Sequence, residues 1–380
     1  PKNYIFYRAV AGASGSLVSL ILVYLLSNYG EQVIDLVFII SIINLHSTSL
    51  SLGFKRNRNW IEHSNDNKPL FKLHCLLFSI LIIFIFVRFE NQITIIFITF
   101  FCFLICLCNI SINLTTFRQA TLKNKYFDLV YVIYRNIISL IAVISYVKYG
   151  NLLLSIGVFA FFIPLMWLLI RYYNLNIAKE EFIKTSSTQV PKTLSLIIMS
   201  AVGYFEASLE AIIILLSSFL YFEVVNMLLL LKIFAILIMP LSWFAPLFSR
   251  YALDKSLVDK KSYFVFCFLY ATFFSIMFFS IIVLGHYVSF FPVMLSITFG
   301  VIPAVFLTLF LVALNSHQMR IFEFHKSDLT IVLSYFLFFC LRTGSFFLFV
   351  NLDIKNAIMY SLALSELFFY LISRVKKTTV

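Results

Sequence analysis

A few ionisable residues stand inside apolar sequence where the chain should carry none. Arg135, Glu206, Glu210, Lys232, Arg342 and Glu366 each interrupt a long apolar run, and Arg8 stands at the start of the first one. A charged side chain at bilayer depth costs about 2.5–3.5 kcal/mol on insertion scales, so each needs a reason to be there. Four of them (Arg8, Arg135, Lys232, Arg342) are cations, and together they suit an anionic headgroup. Arginine in particular can hold a phosphate through two parallel hydrogen bonds. Glu206 and Glu210 are one helical turn apart and share a face, on which Gly203 allows close approach. Two neighbouring carboxylates suit exchange of a proton or cation. The plainer reading is that these charges pair among themselves and only fix helix packing. For Glu366 the structural and functional readings carry equal weight.

Depth follows from the rise of about 1.5 Å per residue. Counted from the turn near Leu220 and Tyr221, Glu210 lies about 15 Å down and Lys232 about 16 Å down on the next helix. Glu206 lies about 21 Å down, Arg342 about 19 Å and Arg135 about 10 Å in from the opposite side. Lys232 is therefore at a depth from which it can reach one of the two carboxylates. Other polar groups give weaker signals: Asn44, His46 and Ser47 to Ser51 in the second apolar stretch, and Asn109 and Asn113 in the fourth. Hydrogen bonding between helices explains these first, and cavity lining second. Gly12 and Gly15, with Ala11, Ala13, Ser14 and Ser16, form a small-residue patch that reads as close helix packing. Pro164, Pro240, Pro246 and Pro303 can kink the helices that carry them.

The elements that must position these groups are long apolar stretches. The chain has 380 residues, is 62% hydrophobic and only 12% charged, with a mean hydropathy of +0.98. The spacing predicts spans at 9–28, 33–53, 71–88, 92–114, 128–148, 152–171, 195–218, 222–248, 263–285, 288–314, 329–350 and 355–373. Backbone amides in lipid must pair within their own segment, so the spans are helices. The short alternating segments of a membrane barrel are absent from the sequence. The expected fold is an all-α polytopic membrane protein of about twelve transmembrane helices.

Lys and Arg sort by loop. One side carries Lys55, Arg56 and Arg58, then Lys123 and Lys125, Lys179 and Lys184, Lys255, Lys260 and Lys261, and Lys376 and Lys377. The other carries only Arg88, Lys148 and Lys355. Both termini are therefore expected to be cytoplasmic. This bias also explains the net charge of +12 without nucleic acid, as a topology signal with attraction to anionic lipid. No small-residue cleavage site follows the first stretch, so no cleavable signal peptide is expected. Cys75, Cys102, Cys106, Cys108, Cys267 and Cys340 all fall inside spans and read as packing residues. The longest polar break, 172–194, predicts an N-terminal six-helix lobe (1–171), a cytoplasmic linker and a C-terminal six-helix lobe (195–380). No Gly-rich phosphate loop occurs, and every outer loop is too short to house catalytic groups. A transporter is expected rather than an enzyme, with no metal and no cofactor.

Certain segments resemble a known family. Ser208-Leu209-Glu210-Ala211-Ile212-Ile213-Ile214-Leu215 sets an acidic residue before an apolar run. A short turn at Glu223, the span with Lys232, and Pro246-Leu247-Phe248-Ser249-Arg250 before the basic loop Asp254 to Lys261 follow it. Near the N-terminus, Arg8 precedes a small-residue helix that ends in Leu26-Ser27-Asn28-Tyr29-Gly30-Glu31. These features resemble polysaccharide (O-antigen, Wzx-type) flippases of the multidrug/oligosaccharidyl-lipid/polysaccharide exporter superfamily. The resemblance implies a flippase for an undecaprenyl-diphosphate-linked oligosaccharide, an O-antigen or capsule repeat unit, in the bacterial inner membrane. It implies two lobes in alternating access, driven by a proton or sodium ion, with membrane lipids, a polymerase and a chain-length regulator as partners. Arg8, Arg135, Lys232 and Arg342 would hold the anionic headgroup, and Glu206 and Glu210 would couple the ion. The alternatives are a cation-coupled multidrug exporter, and an O-antigen polymerase or lipid-linked sugar transferase. The exporter is disfavoured by the number of internal cations, and the enzyme by the lack of a large outer loop.

Overall fold

The computed structural model describes residues 2–43, 45, 68–122, 127–177, 200, 209–217, 224–253, 260–287, 301–325, 328–352 and 357–374. Among the described residues there is no strand. The helices are α1 (Lys2–Tyr29), α2 (Ile34–Ile43), α3 (Lys68–Arg88), α4 (Gln92–Leu122), α5 (Phe127–Tyr149) and α6 (Leu152–Ile177). They continue as α7 (Leu209–Ser217), α8 (Val224–Leu253), α9 (Lys260–Tyr287), α10 (Val301–His325), α11 (Asp328–Asn351) and α12 (Ala357–Arg374). Eight of them (α1, α3, α4, α5, α6, α8, α9 and α11) are long and apolar enough to cross a bilayer. The chain is an all-α, multi-pass membrane protein.

Among the described residues, the outward sides of its helices carry many large apolar side chains. On α3, Leu73, Leu77, Leu81 and Ile85 recur every fourth residue and are fully buried. On the same helix Ile83 and Phe86 are about 60% exposed. In water such an outer face would be an aggregation surface, whereas in lipid it is the solvent-matched one. Packing between such helices comes from close contact and interhelical hydrogen bonds rather than from expulsion of water. Examples of the latter are Tyr134 Oη to the Phe162 carbonyl (3.2 Å) and Asn136 Nδ2 to Ser14 Oγ (2.8 Å). Tyr263 Oη donates to the Ala313 carbonyl (2.6 Å), and Tyr270 Oη to that of Leu237.

Short turns are closed by local chemistry. Gly150 ends α5 at φ +62°, and its N–H bonds the Tyr146 carbonyl at 2.7 Å. This is the left-handed cap that glycine takes most cheaply. Asn151 then caps α6, accepting from the Leu154 N–H at 3.2 Å. Asn91 caps α4 in the same way, accepting from Ile93 (2.9 Å) and Thr94 (3.3 Å). Gly30 (φ +54°) leads out of α1.

Several helices outrun their apolar stretches. α4 continues past 114 to Leu122, α6 past 171 to Ile177 and α10 past 314 to His325. Intrahelical hydrogen bonding does not stop where the apolar sequence does, and no Gly or Pro stands in these extensions to break the helix. The linker expected at 172–194 thus begins as helix, and its residues 178–194 lie outside the described residues.

The chain divides into two compact units, Pro1–Val18 with Ile34–Tyr221, and Ser19–Val33 with Phe222–Val380. In the first, α4 packs on α3, α5 and α6, and α5 packs on α6. In the second, α10 packs on α8, α9 and α12, and α12 packs on α11.

Candidate functional site

α11 and α12 form an antiparallel pair, and they set two charges level. Arg342 stands nine residues before Asn351 (351 − 342), and Glu366 nine after Ala357 (366 − 357). Both are about 14 Å along their helices from those ends. Arg342 Nη2 lies 3.2 Å from Glu366 Oε1, with the two side chains only 11% and 13% exposed. Arg342 Nε donates to Ser365 Oγ at 3.2 Å, and the guanidinium lies 4.1 Å from the ring centre of Phe338. The group thus uses its edge for hydrogen bonds and its face for a cation–π contact.

α10 adds the third member. Asn315 Nδ2 donates to Glu366 Oε2 at 2.7 Å and to the Glu366 carbonyl at 2.9 Å. Asn315 is itself 4% exposed. The carboxylate therefore accepts from a guanidinium on one oxygen and from an amide on the other. This arrangement offsets the cost of a charge in a low-dielectric interior.

Rings pack beside the triad. Tyr335 and Phe338 on α11 both meet Phe369 on α12, at 5.8 and 5.6 Å between centroids. All three are buried, with at most 3% exposure. They lie toward the Asp328 and Arg374 ends of the two helices, one to two turns from the ion pair.

The other expected site residues are distributed as follows. Arg135 on α5 and Glu210 at the start of α7 are partly buried within the first unit. Lys232 on α8 is partly buried within the second unit, as are Arg342 and Glu366. Arg8 lies on α1, with its side chain outside what the structure describes, and Glu206 lies outside the described residues altogether. The pairing actually seen joins an expected substrate-binding residue, Arg342, to Glu366.

Asn315, Ser365 and Phe338 were not legible as partners. The apolar run ends at Leu314, so Asn315 read as the first residue beyond a span, yet α10 carries it onward as helix. A second ion pair was also missed. Arg88, at the end of α3, donates from Nε and approaches through Nη2 to Asp35 Oδ1, both at 2.8 Å. Its side chains are 20% and 40% exposed, and an acidic residue at the rim of a span was the available signal. His74 is buried against Phe103 (5.0 Å) and Phe78 (5.8 Å) on an otherwise apolar face of α3.

Among the described residues no group of three or more His, Cys, Asp or Glu could hold a metal ion. Cys102, Cys106, Cys108 and Cys267 are buried free thiols. No known protein family, no curated protein and no solved structure matches the chain.

Proposed function

We propose that the chain is a flippase. It moves an undecaprenyl-diphosphate-linked oligosaccharide across the bacterial inner membrane by ion-coupled alternating access of two six-helix lobes, with twelve spans and both termini cytoplasmic. The observation that carries this reading is Arg342, a guanidinium held deep in a multi-pass helical unit by Glu366, Ser365 and Phe338. A cation at that depth is costly unless it serves a charged cargo or a permanent partner. The fork that here meets a carboxylate is the geometry that meets a phosphate. Arg8, Arg135 and Lys232 supply further cations of the same anion path, and Glu206 and Glu210 exchange the coupling ion. The basic loops and the absence of any large polar segment in the sequence support a carrier over an enzyme.

The test is deletion of the gene followed by location of the lipid-linked repeat unit. Loss of a flippase leaves the unit facing the cytoplasm. Single units on the outer face would instead identify a polymerase, and unchanged export would remove the function altogether.

A further inference from the structure

Asn315 supplies the starting observation. Its Nδ2 is fully engaged, donating to the Glu366 carbonyl and to Oε2. Its Oδ1 is buried and has no hydrogen-bond partner among the described residues. An acceptor unpaired in a low-dielectric interior is costly, and such groups call for a donor. An ionised carboxylate offers none, whereas a protonated one offers an O–H. The carboxyl that can present it is Glu366, whose Oε2 already sits 2.7 Å from the other end of the same amide.

We propose that Glu366 and Asn315 form a proton-binding site, and that the bound proton decides whether Arg342 is paired with Glu366 or released to hold an anionic group. The second half rests on the anion-carrying function proposed above; the first half does not.

The step balances simply. One proton adds to the Glu366 carboxylate, and the ion pair with Arg342 Nη2 is lost. The new O–H donates to Asn315 Oδ1, one amide width from where the carboxylate accepted from Nδ2. The Nδ2 bond to the Glu366 carbonyl holds the amide in place throughout. The guanidinium keeps its charge, so its demand for an anion passes from Glu366 to the cargo. Proton and cargo anion therefore favour each other, and each stabilises the state the other binds.

A metal ion fits this place poorly. A guanidinium 3.2 Å from the carboxylate opposes a second cation, and no cluster of further ligands stands among the described residues. Among the described side chains, the charged and titratable groups on the elements around α12 are Arg342, Tyr335 and Cys340 on α11 and Lys232 on α8, with Tyr360 and Tyr370 on α12 itself. α10 contributes Asn315 and no charged side chain among those described.

Purified full-length protein in detergent provides two readouts. The first is an infrared difference spectrum on stepping from about pH 8 to about pH 5. Wild type should gain the band of a protonated, hydrogen-bonded carboxyl that Glu366→Gln lacks, and Asn315→Leu should shift that band. If Glu366→Gln does not accumulate, Glu366→Asp must move the band. Spectra identical in wild type and variant would overturn the proton site.

The second readout is binding of farnesyl diphosphate, taken as the ratio of Glu366→Gln to wild-type affinity so that the ligand's own titration cancels. The neutral variant should bind more tightly at high pH, and the ratio should fall toward one on acidification, by about tenfold per pH unit for one linked proton. A ratio constant with pH would overturn the competition. If neither protein binds farnesyl diphosphate while the band remains, the anion-carrying reading fails and the proton site stands.

Discussion

Arg342 is held in ways that lysine cannot copy. Its Nε and Nη2 reach different partners and its plane lies on Phe338. Arg342→Lys keeps the charge but loses the fork and the stacking. We expect surface glycan to fall by about tenfold, the weight of one lost charge-assisted hydrogen bond, at normal protein abundance. Full glycan in the lysine variant would mean that charge alone suffices. Breaking a buried pair by removing one partner costs about 3–5 kcal/mol, because the other charge is stranded. Glu366→Ala should therefore lower thermal stability in detergent more than the double variant Glu366→Ala/Arg342→Ala does. Additive losses would mean that the pair is not coupled. The Arg88–Asp35 pair, with Asp35 40% exposed, should by the same measurement contribute no more than about 1 kcal/mol. Both Arg342 and Glu366 were conspicuous in the sequence as charges in apolar runs. Their pairing was not, because it depends on how α11 and α12 align side by side. Asn315 was hidden because hydropathy ends at Leu314 while the helix does not.

Between α5 and α6, two residues set the geometry of the turn. At Gly150 an added Cβ would meet nothing within 4 Å, so substitution acts through the φ of +62° alone. Gly150→Ala should cost about 1 kcal/mol. Asn151→Ala, which removes the cap on α6, should cost a similar amount. Both are read as shifts in thermal unfolding of the purified protein, and no shift in either would show that the turn tolerates other conformations. The eight helices long and apolar enough to cross a bilayer were legible because stretches of twenty apolar residues have few other uses in a membrane protein. The inward face of each helix was not. On α3 the buried Leu77 and the exposed Ile83 are equally apolar, so periodicity carries no information about which side meets protein.

Across the whole molecule the loop charges predict an orientation that can be checked directly. Reporter fusions at residues 60, 180 and 256 should read cytoplasmic, and fusions at 149 and 220 external. One inverted pair would break the twelve-span layout from that point onward. Nothing in the sequence marked the division into two units, which falls after Tyr221 rather than at the polar break 172–194 and groups residues 19–33 with the second unit. It depends on spatial contacts that no local pattern encodes. The ring layer of Tyr335, Phe338 and Phe369 matters at this same scale. A protonatable group open to both faces of a membrane would short-circuit the gradient that drives the cell's other work. In the proposed carrier the rings would insulate one side, so that a proton entering from the other would have to leave the way it came until the helices move. Cutting the insulation with Phe338→Ala/Phe369→Ala should turn a coupled carrier into a passive drain. Vesicles holding the variant would lose an imposed pH difference faster than those holding wild type. Equal decay rates would mean that the seal lies elsewhere.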